Sequence, residues 1–505
     1  MKRKKELIVI LSSLLVIVLS VSVAYFTTKI LGTGKEISVE SADLKVIFTS
    51  GSGTINGTNI EPGWSSGENT FTVKNESNGT YKYNIIIKDL VNTFVTTGFL
   101  QCKITSTDGG YNMTNFVDVP KSSTATDTVL ADNISIEKGT THTYKIIINY
   151  NNSDEVDQSA DMGKLLSGKI FITKASNPTL ASKLLEDNPT ISTRSDFSTA
   201  FTTNTANTLY KASENATDVY YFAGQDTTST PINNWIKFGK NSSNQDLYWR
   251  IIRTNSDGGV RLLYHGTSTT ATDAYIGESA FNTTSNSPKY VGYMYGDSDT
   301  TPEEARTNIN DSTIKAYIDN WYANNMTSYT KYLSTTAVYC NDRELASGAS
   351  YSTTKAFRFK AYERLDTNKT PTYDCTNNND KFTVDASTGN GKLTYPIALM
   401  TADEIAYAGG VAYENALMWY YTNSSLESST GTTKWWSLSP YSWYDSNVFS
   451  WHLNGSDIPG HLNRINVTDS GGVRPAVSLK ACIKYSTGNG TSETPYEIVE
   501  TSSGC

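Results

Sequence analysis

The chain has 505 residues, enough for two large domains or about three of ordinary size. Aromatic residues make up 11% of the chain and charged residues only 18%, a composition that excludes a disordered chain and favours polar β surfaces. The formal net charge of −8 argues against nucleic acid and anionic lipid as main partners, because both attract basic proteins.

The N-terminus combines basic residues at positions 2–5 with an uncharged, apolar run from Leu7 to Thr28. Residues 1–30 are therefore predicted to be either a secretory signal peptide, cleaved near Ser22-Val-Ala24, or a retained membrane anchor helix. Both alternatives place the rest of the chain outside the cell. The predicted protein is exported, and it is either secreted or anchored on the extracellular side of the membrane.

Residues 35–174 are predicted to form an all-β sandwich domain, because strand-like runs alternate with turn residues. Within it, Gly63-Trp-Ser-Ser-Gly67 matches the G-x-S-x-G pattern of serine hydrolases. A nucleophile elbow needs a strand before the serine and a helix after it, whereas a strand-like run, Thr70–Val73, follows here. We interpret the motif as a turn of the sandwich.

Residues 175–232 are predicted to be a linker with short helices, 233–485 an α+β domain, and 486–505 a C-terminal tail. In the α+β domain, Asp257-Gly-Gly259 is typical of a hairpin turn. Thr301 and Thr401 each precede a glutamate by three residues, which is the capping box that begins a helix. Another helix, beginning at Asp311 or Ser312, is predicted to turn one apolar stripe toward the core: Ile314, Tyr317, Ile318 and Trp321.

Five cysteines fit an exported protein, because disulfide bonds persist in oxidising compartments. Cys340 and Cys375 flank a polar, loop-like stretch and are predicted to pair. Cys482 and Cys505 could then fasten the C-terminal tail, which would leave Cys102 unpaired. Free or heterogeneously paired thiols are the alternative, since spacing alone does not determine connectivity.

The chain offers few groups for catalysis or metal binding. It has no HExxH, CxxC or phosphate-binding-loop motif, and only four histidines. We therefore expect no enzyme activity, no metal site and no cofactor.

A turn-rich stretch between Trp435 and Asp469 mixes aromatic rings with Asn, Asp, Ser and His, as binding surfaces commonly do. We expect Trp443, Tyr444 and Trp451 to stack on a ligand and the neighbouring polar groups to donate and accept hydrogen bonds. A polar structural loop without a ligand is the alternative. Of the adjacent Trp435 and Trp436, one is expected to be buried and the other exposed. The predicted ligand-binding residues are Tyr441, Trp443, Tyr444, Asn447, Trp451, His452, Asn454, His461, Asn463 and Arg464.

Several motifs resemble a large family of exported proteins, mostly of unassigned function, from gut Firmicutes and Mollicute-like bacteria. The resemblance covers about residues 180–500. It is carried by Leu247–Arg253, Tyr290–Tyr295, Cys340–Arg343, Met400–Gly410, Trp435–Pro440, Gly471–Leu479 and Gly488–Tyr496.

That family is similar to the C-type-lectin-like fold shared by formylglycine-generating enzymes, since Gly472-Val-Arg474 resembles the Gly-Phe-Arg that ends those domains. The copper-binding cysteine pair of those enzymes has no counterpart, because no cysteine lies between Cys375 and Cys482. The sugar-binding motifs of animal calcium lectins are also missing. In the same fold, retroelement-diversified proteins carry their variable residues just before the terminal Gly-x-Arg, where residues 441–470 lie, so that diversification of this segment is a hypothesis.

The N-terminal part resembles camelysin-type β-sandwich surface proteins through Ala24-Tyr-Phe-Thr27. The predicted fold class is therefore α+β, with an N-terminal apolar helix, an all-β sandwich and a C-type-lectin-like α+β domain. The predicted function is binding of an unknown protein or glycan ligand at the cell surface. The alternatives are a structural surface or matrix protein without a specific ligand, and a degenerate relative of sulfatase-modifying enzymes.

Overall fold

The computed structural model describes residues 37–41, 44–50, 60–76, 80–175, 177–455 and 458–505. The predicted signal peptide or anchor at residues 1–30 lies outside these ranges. The chain divides into two compact units between residues 176 and 177. Strands make up 37% of the structure and helices 13%, so the protein is mostly β. No helix within the described ranges is long and apolar enough to cross a membrane.

The first unit contains two antiparallel sheets. One sheet has the strand order β1-β2-β4-β9-β6-β7, with β3 beside β9, and the other has the order β10-β5-β8. The strands are β1 Ile37–Ser41, β2 Leu44–Ser50, β3 Trp64–Ser65, β4 Asn69–Asn75, β5 Tyr81–Asn92, β6 Leu100–Ser106, β7 Val117–Asp118, β8 Ser122–Ile136, β9 Thr141–Tyr150 and β10 Leu166–Lys174, and a 3₁₀ turn spans Ser159–Asp161.

Side chains from both sheets of the first unit pack into one core, in the manner of a sandwich. Along β9 the buried and exposed residues alternate, because successive side chains of a strand point to opposite faces. The G-x-S-x-G motif does not lead into a helix here. Trp64 and Ser65 form the short strand β3 between Gly63 and Gly67, which both have positive φ. This backbone confirms that the motif is not a nucleophile elbow.

The second unit is built on an eight-stranded and a six-stranded sheet, with small two-stranded ribbons. Its strands are β11 Thr190–Thr193, β12 Thr208–Glu214, β13 Thr217–Tyr221, β14 Trp235–Lys240, β15 Asp246–Thr254, β16 Val260–Gly266, β17 Glu278–Ser279, β18 Met294–Tyr295, β19 Asn310–Asp311, β20 Tyr339–Cys340, β21 Phe357–Arg358, β22 Lys381–Phe382, β23 Ile397–Leu399, β24 Trp435–Tyr444, β25 Asn447–Leu453, β26 Leu462–Asn466, β27 Gly471–Gly472, β28 Pro475–Leu479, β29 Tyr485–Thr487 and β30 Glu497–Ile498.

The helices of the second unit are short and lie between the strands. The α-helices are α1 Leu180–Asp187, α2 Pro302–Ala305, α3 Thr313–Asn325, α4 Lys360–Tyr362 and α5 Ala402–Tyr407. Short 3₁₀ segments span Pro288–Val291, Thr327–Tyr332 and Asn378–Asp380, and a π-helical segment spans Glu363–Asn368.

The eight-stranded sheet has the order β11-β12-β13-β15-β16-β28-β23, with β14 beside β15. The six-stranded sheet has the order β17-β27-β24-β25-β26, with β21 beside β24. Residues 190–221 thus supply three strands of the larger sheet, although we expected a linker with short helices there. The tail is also part of the unit, because the backbone N–H groups of Trp235 and Lys237 in β14 donate to the carbonyls of Gly490 and Tyr496. The unit therefore extends beyond the predicted 233–485 domain at both ends.

Local signals in the sequence predicted several elements of this unit correctly. Both capping boxes are present, with the side chains of Thr301 and Thr401 accepting from the backbone N–H of Glu304 and Glu404. Ser312 begins α3, and the apolar stripe of that helix packs on the core. The predicted hairpin turn joins β15 to β16.

The disulfide pairs are those predicted, Cys340 with Cys375 and Cys482 with Cys505. Cys102 is free and buried.

The expectation that only one of Trp435 and Trp436 is buried is wrong. Both are fully buried, because β24 is covered on its two faces. Trp436 packs on Phe281 with ring centroids 5.6 Å apart, and Trp435 packs against the Arg474 guanidinium, 5.2 Å away. Arg474 itself is buried and donates to the carbonyl of Tyr264 at 2.8 Å, so it braces the fold.

Candidate functional site

Eight of the ten predicted ligand-binding residues lie on the antiparallel strands β24, β25 and β26, and Asn454 and His461 lie between β25 and β26. Asp445 and Ser446 connect β24 to β25, and both have positive φ, 51° and 57°. This is the backbone of the tight two-residue hairpin turns that match the twist of a sheet. The stretch that we expected to be loop-rich is therefore largely sheet, and nine of the ten residues of β24 are buried.

Four of the ten predicted residues are buried: Tyr441, Trp443, Trp451 and His452. The prediction that Trp443 and Trp451 stack on a ligand is wrong, since they are only 2% and 0% exposed. The ring of Tyr441 covers Trp451, with centroids 4.7 Å apart. Tyr444 is the one ring of the predicted stacking set that is exposed, at 49%.

His452 belongs to a hydrogen-bonded row with Asn454 and His461. His452 Nε2 donates to Asn454 Oδ1 at 2.7 Å, and Asn454 Nδ2 donates to His461 Nδ1 at 3.4 Å. Burial lowers the pKa of His452 to about 4. At neutral pH His452 is therefore uncharged. Its buried Nδ1 has no hydrogen-bond partner among the residues that the structure describes, so the row satisfies only part of its hydrogen-bonding capacity.

The depressed pKa of His452 predicts a loss of stability in acid. In the unfolded chain histidine has a pKa of about 6.5, so only the unfolded state takes up this proton between about pH 6.5 and pH 4. The free energy of unfolding is expected to be highest above that window and to fall through it, by on the order of 3 kcal/mol for this group. Denaturant titrations at several pH values should show a shallower fall for His452→Gln, which keeps an N–H donor toward Asn454. Equal pH dependence of the two proteins would contradict this assignment.

Asn447 and Asn463 are also occupied by neighbouring groups. Asn447 Oδ1 accepts from Ser285 Oγ at 2.7 Å and from Asn466 Nδ2 at 3.2 Å. Asn463 Oδ1 accepts from the backbone N–H of Arg464 at 2.7 Å. The Oδ1 atoms of both amides therefore already accept hydrogen bonds within the protein.

Two arginines differ from the rest. The guanidinium groups of Arg358 and Arg464 form no hydrogen bond or ion pair with any residue that the structure describes. Every other arginine in the described ranges donates to a carboxylate or a carbonyl. Arg358 and Arg464 instead lie over the Tyr441 ring, 5.2 Å and 5.6 Å from its centroid.

The sheet brings these two cations together from distant parts of the chain. Arg358 lies on β21 opposite Ser442 of β24, and Arg464 lies on β26 opposite Trp451 of β25. Arg464 also lies over Phe449, at 5.1 Å, and Arg358 over Tyr362 of α4. We call this group the arginine–tyrosine surface and define it as Arg358, Tyr362, Tyr413, Tyr441, Tyr444, Phe449 and Arg464.

Tyr413 has an unusual backbone for its size. Its φ is +65°, a left-handed conformation that is costly for a bulky side chain and that tends to occur at functional sites. The ring is 41% exposed, and its hydroxyl is hydrogen-bonded to that of Tyr441. Burial and this hydrogen bond raise the pKa of Tyr413, so the phenol keeps its proton and remains a possible donor.

Three of the seven members of this surface, Tyr441, Tyr444 and Arg464, were predicted as site residues, and Phe449 lies in the same predicted stretch. Arg358, Tyr362 and Tyr413 were missed. Arg358 lies on a strand of two residues that reaches the site only by pairing with β24. Tyr413 lies outside regular strands and helices. No local pattern marks either residue, because their role follows from tertiary contacts.

A cluster of buried ion pairs lies elsewhere in the second unit. Glu404 Oε1 accepts from Arg261 at 2.8 Å and from Arg253 at 3.0 Å, and Arg253 also binds Glu214 at 2.8 Å. Arg253, Arg261 and Glu404 line a cavity of about 20 Å³, which has room for about one water. Each charge has an opposite partner, which is the arrangement of a structural network. Arg364 pairs in the same cluster with Asp342 and Asp403.

Within the described ranges, no group of three or more His, Cys, Asp or Glu side chains could hold a metal ion. No protein-family model matches the chain, and neither does any curated protein or solved structure. The case for a function therefore depends on the chemistry of the arginine–tyrosine surface.

Proposed function

We propose that this is an exported bacterial ligand-binding protein whose second unit, a C-type-lectin-like domain, binds acidic glycans through the arginine–tyrosine surface. The observation that carries the proposal is the pair of free guanidinium groups, Arg358 and Arg464, held over one tyrosine ring. All other described arginines are used by the fold, so these two are available to a ligand.

The chemistry of the surface favours an acidic sugar. A guanidinium group presents parallel N–H donors that match the two oxygens of a carboxylate or a sulfate. Exposed Tyr444 and Tyr413 offer ring faces and hydroxyls beside those donors. A flat ring is a rigid apolar area with little conformational entropy to lose, which suits the face of a sugar ring. The strained backbone of Tyr413 supports a functional role for its position.

The two disulfide bonds support export, because they would be reduced in a bacterial cytoplasm. The apolar N-terminal run would serve either as a cleaved signal peptide or as the membrane anchor. In either case the arginine–tyrosine surface would be presented outside the cell.

A glycan-array screen of the purified full-length protein tests this proposal. The array should pair sialylated, uronic-acid and sulfated glycans with the same glycans lacking the acid group. We expect binding to acidic members and not to their neutral counterparts. In Arg358→Gln/Arg464→Gln, affinity for the acidic members should fall at least tenfold, since an arginine at the centre of a binding site commonly contributes more than about 1.4 kcal/mol.

Lys164→Gln/Lys355→Gln is the matched control. It removes the same two charges from exposed positions, and Lys355 lies three residues before Arg358. This variant should bind as the unmodified protein does. Loss of binding in the control as well would point to nonspecific attraction. The absence of any bound glycan on the array would favour the structural-protein alternative.

A further inference from the structure

A second cavity lies at one end of the eight-stranded sheet, and it shares no residue with the arginine–tyrosine surface. Its volume is about 260 Å³. The tips of two hairpins form one side, the turn after β12 and the turn between β15 and β16. The Cys340–Cys375 disulfide fastens one of the loops on the other side. The lining residues that matter are Asn255, Ser256, Asp257, Thr336, Tyr373 and Lys381.

The two hairpin tips are held together by a hydrogen bond from a backbone N–H to a side chain. The Ser256 N–H donates to Glu214 Oε2 at 2.6 Å. Gly259 completes the turn, because a Cβ there would lie 2.4 Å from the carbonyl oxygen of Leu479. Asp257 and Thr388 on the rim are exposed, whereas Asn255 and Tyr373 are buried, so the cavity is open to solvent above a buried floor.

The floor carries polar groups that the protein does not satisfy. Asn255 is 6% exposed, and neither Oδ1 nor Nδ2 of its amide has a hydrogen-bond partner. Tyr373 is 8% exposed, and its hydroxyl also has none. Buried polar groups are almost always hydrogen-bonded, and leaving one without a partner costs stability. These three atoms are therefore available to a molecule that enters the cavity.

The hydroxyl is the part of Tyr373 that can contact a molecule in the cavity. One face of its ring stacks on Tyr407, with centroids 4.1 Å apart, and the Arg253 guanidinium lies 4.3 Å from the ring centroid. Burial raises the pKa of Tyr373 well above its usual value, so the hydroxyl keeps its proton. A molecule in this cavity would therefore be held by hydrogen bonds and not by ring stacking.

Three charged groups line the cavity, of which Asp257 is exposed, Lys381 is partly exposed and Glu214 is buried. Asp257 is held by the N–H of Gly259 at 2.8 Å and by Ser334 Oγ at 3.1 Å. Lys381 forms no ion pair with any residue in the described part of the chain. Glu214 is neutralised by Arg253. One free cation and one free anion give no net preference for a charged ligand.

We infer that this cavity binds a small polyhydroxylated molecule of monosaccharide size, with a pair of neighbouring hydroxyl groups hydrogen-bonded to the Asn255 amide. An amide offers a donor and an acceptor side by side, and each sugar hydroxyl can both donate and accept. The Tyr373 hydroxyl provides a third contact at the floor. The volume lies just below the range of about 300–1,000 Å³ typical of drug-sized ligands, which fits one sugar ring.

Calorimetric titration of the full-length protein with monosaccharides tests the inference. The probes are glucose, galactose, mannose and N-acetylglucosamine, with glycine and serine as zwitterions of smaller size. We expect saturable, millimolar or tighter binding of at least one sugar and of no amino acid. Oligosaccharides that end in the same sugar then distinguish a free sugar from the terminus of a glycan as the source.

Asn255→Ala and Tyr373→Phe should each weaken sugar binding at least tenfold without lowering the thermal unfolding temperature, because the removed atoms have no partner in the protein. Tyr221→Phe is the matched control. Its hydroxyl also lacks a partner and its ring packs near Tyr373, but it does not line the cavity. This variant should bind the sugar normally.

Four results would overturn the inference: no saturable sugar binding, binding unchanged in both cavity variants, binding of amino acids instead, or crystals soaked in sugar that show only ordered water at Asn255. Arg358→Gln/Arg464→Gln should leave this binding intact, so that failure here and failure of the acidic-glycan proposal can be told apart.

Discussion

Replacing Glu404 with alanine is expected to lower the free energy of unfolding by about 3–5 kcal/mol, because two buried arginines would lose their shared carboxylate. Burial alone would raise the pKa of Glu404, but Arg261 and Arg253 hold it below its usual value, so the ion pairs persist in mild acid. Denaturant unfolding of the full-length protein measures the change.

Glu304→Ala is the control for this variant. Glu304 has the same role in the capping box of Thr301 as Glu404 has in that of Thr401. Glu304, however, is exposed and forms no ion pair with an arginine among the described residues. Its loss should cost no more than about 1 kcal/mol. The difference between the two variants isolates the contribution of the buried ion pairs. Equal losses would mean that Glu404 acts only as a helix cap.

Trp451→Ala is expected to lower the free energy of unfolding by about 3–5 kcal/mol, as large aromatic deletions in a core do. Trp451 is fully buried beneath Tyr441, and its ring also lies near Tyr413 at 6.4 Å. The expectation from sequence was a selective loss of ligand binding at an exposed ring. The same denaturant titration distinguishes the two outcomes.

Tyr444→Ala is the matched comparison for Trp451→Ala. Tyr444 lies at the end of the same hairpin, and its ring is 49% exposed. Its removal should change the free energy of unfolding by less than about 0.5 kcal/mol. A stable Trp451→Ala protein would contradict the buried position of that ring.

Much of the local structure could be predicted because its causes are local. A threonine with a glutamate three residues later caps a helix through its own backbone, as Thr301 and Thr401 do. Two glycines after Asp257 permit a tight hairpin. The disulfide pairs, Cys340 with Cys375 and Cys482 with Cys505, are those expected, although spacing alone left other pairings open.

The candidate site could not be predicted in the same way. Alternation along a strand assigns side chains to two faces, but it does not say whether a second layer covers the outer face. For Trp435, Trp443 and Trp451 another layer does so, and all three are buried. Arg358 reaches the site through pairing of β21 with β24, a contact across a long sequence separation.

The strands of residues 190–221 were missed for a related reason. The β11 strand has four exposed residues and shows no alternation of buried and exposed positions. It pairs in parallel with β12, and only β13 connects them to β15 of the main sheet. The polar composition of β11 is typical of an edge strand. The same composition is typical of a linker, so the sequence alone does not distinguish the two.

The most direct test of the proposed function is the dissociation constant of one acidic glycan, measured by calorimetry at about 0.15 M salt, where surface attraction is largely screened. The full-length protein should bind the glycan at least tenfold more tightly than Arg358→Gln/Arg464→Gln does, with Lys164→Gln/Lys355→Gln unchanged. Equal affinity of all three proteins would show that the arginine–tyrosine surface does not bind the ligand.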